Sequence, residues 1–342
     1  MTRLLPPRLG MLLVALLALT ACADDPTSDD SATTASPPSG GVATVDAEPQ
    51  EVVPEADWTL GTIEIAFPDA LTSLGGAVYV KTDDGHVVRV DPASGEVAAD
   101  VRVDTTSSDD HYCVGIGSDG DTLWACSAGD RATDLVRLDP RTLEVLDTVE
   151  VDKVFDQLTL PVVDGVVWVL TADGNELTRL DAATLETTTT ALDRRCLQLA
   201  ASPTTVYATC AQTDELVAVD AATGEVATTV EVPSPVNVAV GAGSVWVSGA
   251  DGLLRLSPQL EPQTLYEGLV VGQEGDVLAT DDSVWVRQPA GFLYRIDPAT
   301  DTVTTQYDLD TAVSGGSVLE TDDGLWVTAF DDDLLFRIDP DG

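Results

Sequence analysis

The sequence predicts an all-β fold, a seven-bladed β-propeller with four-stranded blades, on three observations. An aromatic residue recurs as Tyr79, Trp124, Trp168, Tyr207, Trp246, Trp285 and Trp326, at spacings of 45, 44, 39, 39, 39 and 41 residues. A second column, Asp91, Asp139, Asp181, Asp220, Ser257, Asp297 and Asp339, follows it, with an arginine two residues earlier in every repeat but the fourth, where Ala218 stands. The segments between are short, β-branched and bounded by polar turns. A period near 40 residues built from strands alone is the mark of a propeller.

Each repeat reads as four strands in order. The inner strand comes first, as at 236–240, where small and β-branched residues fit a narrow centre. The aromatic strand follows, as in Val245-Trp246-Val247, with apolar residues on both pleat faces, which requires burial between neighbouring blades. A turn such as Asp83-Asp84-Gly85 or Ala172-Asp173-Gly174 then leads into the arginine strand. Last is a Thr/Val-rich outer strand, as at 225–232, whose polar alternation suits exposure. The seventh repeat stops at Asp339 without an outer strand, and the strand-like stretch 60–65 has no blade of its own. The N-terminal strand is therefore expected to complete the last blade and close the ring, removing two sheet edges.

Upstream of the propeller, assigned to residues 58–342, the chain changes character twice. Arg3 and Arg8 precede an apolar run at 11–19, too short for a mature membrane span. Residues 1–22 therefore read as a signal peptide. Its end, Leu19-Thr20-Ala21-Cys22, resembles the bacterial lipobox, and that resemblance makes Cys22 the lipidated N-terminus of a mature lipoprotein. Residues 23–57 are rich in Asp, Ser, Thr and Pro and hold nine acids and no basic residue, which predicts a disordered, extended linker.

Four further cysteines occupy matching repeat positions. Cys113 and Cys196 each lie 11 residues before their aromatic, while Cys126 and Cys210 follow theirs by two and three. Four cysteines allow three connectivities. The repeat alignment favours Cys113–Cys126 and Cys196–Cys210, stapling inner to aromatic strand in an oxidising compartment. Zinc is the rival reading, but no paired His or CxxC accompanies them, and no metal site is assigned.

The chain carries 59 acidic against 16 basic residues; without the nine linker acids and two leader arginines, 50 against 14 remain. Nucleic acid and anionic lipid are excluded as ligands, because both need a basic surface. A saline habitat would also account for such acidity. Carboxylates crowd the turns between aromatic and arginine strands, and Asp331-Asp332-Asp333 is the best cation candidate, although none of these turns has the spacing of a calcium loop.

The residues entering the inner strands are expected to line the channel mouth: His111, Tyr112, Asp156, Gln157, Arg194, Arg195, Asn237, Gln273 and Glu274. Mixed donors and acceptors there suit a small polar ligand. Alternatively, Arg194 and Arg195 neutralise Asp110, Asp156 or Glu274 around the rim. Catalysis has one candidate general base, His111, with Asp110 or Asp156 to orient it; His86 reads as an exposed substitution in a turn.

Phrases such as Gly243-Ser244-Val245-Trp246-Val247-Ser248 and Tyr294-Arg295-Ile296-Asp297-Pro298 resemble those of YVTN-type and virginiamycin B lyase-like seven-bladed propellers. The resemblance implies the fold and, as an alternative function, a metal-dependent lyase; its members use a histidine late in the ring, whereas this chain has none after His111. Quinoprotein repeats resemble Ala218-Val219-Asp220-Ala221-Ala222-Thr223-Gly224, but Thr228 stands where their docking motif closes with Trp, so no cofactor is expected. The reading is a lipid-anchored monomer on the extracytoplasmic face of the cell membrane. There it acts as a non-catalytic binding or scaffolding module for a cell-envelope protein or small polar ligand.

Overall fold

Alternating apolar residues and glycine- or aspartate-rich turns give seven antiparallel sheets in chain order. The computed structural model describes residues 42–54, 59–105, 113–129, 132–154, 157–309, 311 and 315–340; Cys22, His111, Tyr112 and Asp156 lie outside the described residues. Six blades span 68–102, 116–151, 162–191, 199–231, 238–267 and 276–308; the seventh joins 318–338 to the N-terminal strand. In each, the order is inner, aromatic, arginine, outer, as the repeat predicts.

The register explains the two sequence columns. Each aromatic stands directly across from the arginine position of its own blade, as in Trp124 opposite Arg137, Trp246 opposite Arg255 and Trp326 opposite Arg337. The guanidinium then lies over the indole, 5.1 Å from the ring centre for Arg255 and 5.8 Å for Arg137. From there it reaches the next blade. Arg137 donates to the Ala182 carbonyl at 3.0 Å, Arg179 to Ala222 at 3.3 Å, Arg255 to Pro298 at 2.8 Å and Arg295 to Pro340 at 3.3 Å. Each acceptor lies one or two residues beyond the aspartate column. The aspartate itself caps the turn: Asp139, Asp181 and Asp220 each accept the N–H groups two and three residues on, at 2.8–3.1 Å. Arg-x-Asp is thus a latch followed by the turn that receives the preceding latch.

The described apolar core is a ring of wedges, not a central ball. Seven clusters of buried residues correspond to the seven gaps between blades, each combining an aromatic with the aromatic strand of the next blade. Trp246, for instance, packs with Val284 and Val286, and Trp326 with Val78 and Val80 across the seam. The two disulfides, Cys113–Cys126 and Cys196–Cys210, connect as the repeat alignment favours.

Three strands come from the N-terminal stretch. β1 (Ala43–Asp46) pairs in parallel with Pro262–Glu267, and β2 (Glu51–Val53) in parallel with Thr302–Asp308, giving the fifth and sixth blades a fifth strand. This departs from the reading of 23–57 as linker: residues 43–53 belong to the fold. The outer edges of these blades offer unpaired backbone groups, and Val45, Ala47 and Val53 lay their side chains against the wedges beneath. The stretch is short, acidic and interrupted by Pro49, so composition alone reads as tether. β3 (Thr59–Glu64) runs antiparallel to Leu334–Ile338 as the missing outer strand, the closure the repeat count predicts.

Candidate binding sites at the channel

The connectors entering the inner strands and the turns after the aromatic strands meet at one end of the channel. They enclose a recess of about 430 Å³ lined by Asp69, Asp83, Gln273, Glu274, Phe330 and Asp331, among others. Four of these six side chains are carboxylates, and no Lys or Arg is among the described residues lining it. Two buried cations underlie this acidic rim. Burial lowers the pKa of Lys81, opposed by Asp104 at 3.4 Å and by Asp83 and Asp84. Burial also brings Arg287 down to about 10, against the pull of Asp332.

Beside the recess, Phe67 packs at a tilt against Phe330 with ring centres 5.7 Å apart and is 45% exposed. Its φ of 48° is left-handed, a conformation unfavourable for a bulky residue. Asp333 holds it there: its side chain accepts the Phe67 N–H at 2.8 Å and its carbonyl accepts Ile65 N–H at 3.0 Å. Asp333, expected with Asp331 and Asp332 as the best cation candidate, is therefore engaged in the ring seam. No group of three or more metal-ligating side chains is assembled among the described residues.

Of the residues expected at the mouth, Gln273 and Glu274 are there and exposed. Gln157 is buried, donating to the Thr159 carbonyl and accepting Leu170 N–H at 2.7 Å. Asn237 is buried as well, its amide donating to the carbonyls of Gly272 at 3.2 Å and Gly275 at 2.9 Å in the next blade. Arg194 pairs with Glu215 at 2.5 Å, and Arg195 donates to the Asp173 carbonyl at 3.1 Å; Asp110 and Asp156, offered as alternative partners, lie outside the described residues. These arginines brace the connector into the fourth blade. His86 is half-buried on the first blade, its Nδ1 2.7 Å from Asp100.

Toward the opposite end, the channel widens into a cavity of about 570 Å³ walled by inner-strand residues such as Leu71, Leu158, Leu199, Val238, Val277 and Leu319. No described residue of the second blade lines this wall. That blade's inner strand is drawn against the third blade, where a Cβ on Gly117 would stand 2.0 Å from the Leu160 carbonyl. Within the wall lies Asp276, a residue the sequence reading passed over. Its Oδ1 accepts Val277 N–H at 2.8 Å and its Oδ2 accepts Val318 N–H of the seventh blade at 3.1 Å. Burial pushes its pKa up to about 6, with the two N–H groups pulling the other way. A signal was available: Gln198, Asn237 and Asp276 each lie nine residues before their aromatic, and each bonds a neighbouring blade.

These carboxylates give stability two opposing dependences on pH. Asp276 favours its neutral form when folded, so its contribution grows as pH falls from about 6 toward the unfolded value near 4, by about 1–3 kcal/mol. Backbone hydrogen bonds hold Asp139, Asp181 and Asp220 below the usual carboxylate range, so their contribution is lost as pH falls below about 4. The melting temperature should pass through a maximum near pH 4, with an upper limb falling to about pH 6. Asp276→Asn should flatten the upper limb and leave the acid limb; an unchanged upper limb in that variant rules out this assignment.

No protein-family model matches the chain, and no curated protein matches it by sequence. Solved structures do. BamB from Moraxella catarrhalis superposes with a TM-score of 0.56 at 15% identity, covering 83% of this chain and 97% of that one. U3-55K does so with 0.68 at 11% identity, over 83% and 99%. The β-propeller domain of Cps50 (Swd1) from Myceliophthora thermophila gives 0.63 at 12% identity, over 82% and 98%. At such identities the likeness is one of fold, and the fold it shows is the β-propeller.

Proposed function

We propose that this protein is a lipid-anchored, extracytoplasmic scaffold of the YVTN type that holds a cell-envelope protein against its acidic rim. The observation carrying this reading is Phe67: an exposed aromatic, locked by Asp333 in an unfavourable backbone conformation, packed against Phe330 beside Asp83, Glu274 and Asp331. Strain of this kind collects at functional positions, and a fixed aromatic within a charged rim is how interface hot spots are built. The partner this rim fits presents a basic segment with an apolar side chain for the phenylalanine pair.

Two experiments in cells test the two halves. A photo-crosslinking residue at position 67 should capture one protein that the same residue at exposed Val226, on an outer strand, does not; equal capture from both sites sinks the rim reading. Cys22→Ala should move the protein from the membrane to the soluble fraction, and retention at the membrane would sink the lipid anchor.

A further inference from the structure

The inner-strand position nine residues before each aromatic is held by Ala70, Gly115, Thr159, Gln198, Asn237, Asp276 and Ser317. Asn237 bonds the neighbouring blade with an amide and Gln198 does likewise, so the latch at this position needs no charge. Asp276 nonetheless places a carboxylate there. It is partly accessible and lines the 570 Å³ cavity, its oxygens accept one backbone N–H each, and no cationic side chain is bonded to it among the described residues. The side chains of the surrounding wall are Leu, Val, Ala and Pro with a few Ser and Thr, although polar atoms make up about half of its exposed surface; the other acid, Asp164, is exposed at its end, and no Lys or Arg lies among the described lining residues. The recess at the other end of the channel is acidic too. A low-dielectric cleft whose charges share one sign concentrates counter-ions of the opposite sign.

From this placement we infer that the cavity is a binding site for an organic cation, a protonated amine on an apolar body, with the ammonium group paired to Asp276 and the body against the inner-strand wall. The volume falls within the range of small-molecule pockets, and an anchoring charge among aliphatic side chains and backbone polar groups fits that ligand class. A bare divalent ion fits poorly, because it takes six or more oxygen ligands and no group of three metal-ligating side chains is assembled here among the described residues. This site is independent of the rim reading under Proposed function.

The test is calorimetric titration of the whole protein with phenethylammonium at millimolar concentrations, against the near-isosteric neutral 2-phenylethanol. Phenethylammonium should bind more tightly by about tenfold or more, and Asp276→Asn should abolish that preference while leaving the circular dichroism unchanged. Ala200→Phe, which keeps the carboxylate but fills the space, should remove binding of both probes. Equal binding of amine and alcohol, an undiminished preference in Asp276→Asn, displacement of the amine by stoichiometric calcium, or no binding at all would each overturn the inference.

Discussion

Deleting Thr59–Glu64 is expected to destabilise the whole ring, not one blade. The segment supplies the outer strand of the seventh blade, and its loss exposes the edge of Leu334–Ile338. Ile63 packs against the wedge formed by Trp326, Val78, Val80 and Leu335, so that wedge, which joins the first blade to the last, opens with it. Loss of Ile63 from the wedge, together with the apolar surface it uncovers on its neighbours there, amounts to about 3–5 kcal/mol. At about 2–4 °C per kcal/mol, the melting temperature should fall by roughly 10 °C or more. Soluble aggregates should also form through the freed edge. Thermal melting with sedimentation is the check: a deleted chain that melts within a degree or two of the intact one as a monomer would mean that the ring is held by its wedges alone.

Loss of both disulfides is the second large effect. Each closes a short loop, with sequence separations of 13 and 14 residues, for which chain-entropy reasoning gives about 3 kcal/mol apiece. The pairs staple the second and fourth blades at the junction of inner and aromatic strands, and all four cysteines are buried. Replacing all four by serine should lower the melting temperature by roughly 10–20 °C, and more than adding reductant to the native protein briefly, since buried sulfurs resist exchange. Single-pair variants should each show about half the loss, because the two bridges are in separate wedges. A four-serine variant as stable as the oxidised protein would refute the stapling role.

The fold was legible because its information is repetitive. Trp246, Arg255 and Ser257 say little singly, but the same residues at a fixed period in seven blades state both the strand order and the register, and the structure adds that the arginine lies over the indole and reaches the following blade. Closure was legible for the same reason, since one repeat lacked a strand and one strand lacked a repeat. The mouth was less so. Gln157 and Asn237 sit where the repeat placed them, yet period alone does not say whether a polar side chain turns to the channel or to the adjacent blade, and both turn to backbone groups. Arg194 found a partner, Glu215, within its own blade, a contact set by loop geometry that no spacing encodes. Phe67 carried no signal, since its significance lies in a backbone angle. Residues 43–53 were missed because parallel edge pairing needs only short extended segments with an occasional inward side chain, a pattern too sparse to stand out in an acidic stretch.

The position of β3 and its partner in the chain bears on how the protein is made. Residues 59–64 are among the first of the folded part to leave a ribosome or translocon, and residues 334–338, to which they pair, are among the last. Separated by more than two hundred intervening positions, the two cannot meet until the seventh blade has been made, and β1 and β2 likewise wait for the fifth and sixth blades, made long after them. A nascent propeller of this protein therefore remains an open arc with an unmatched first strand until its seventh blade emerges, which makes the arrival of that blade the step that commits the ring to its native state.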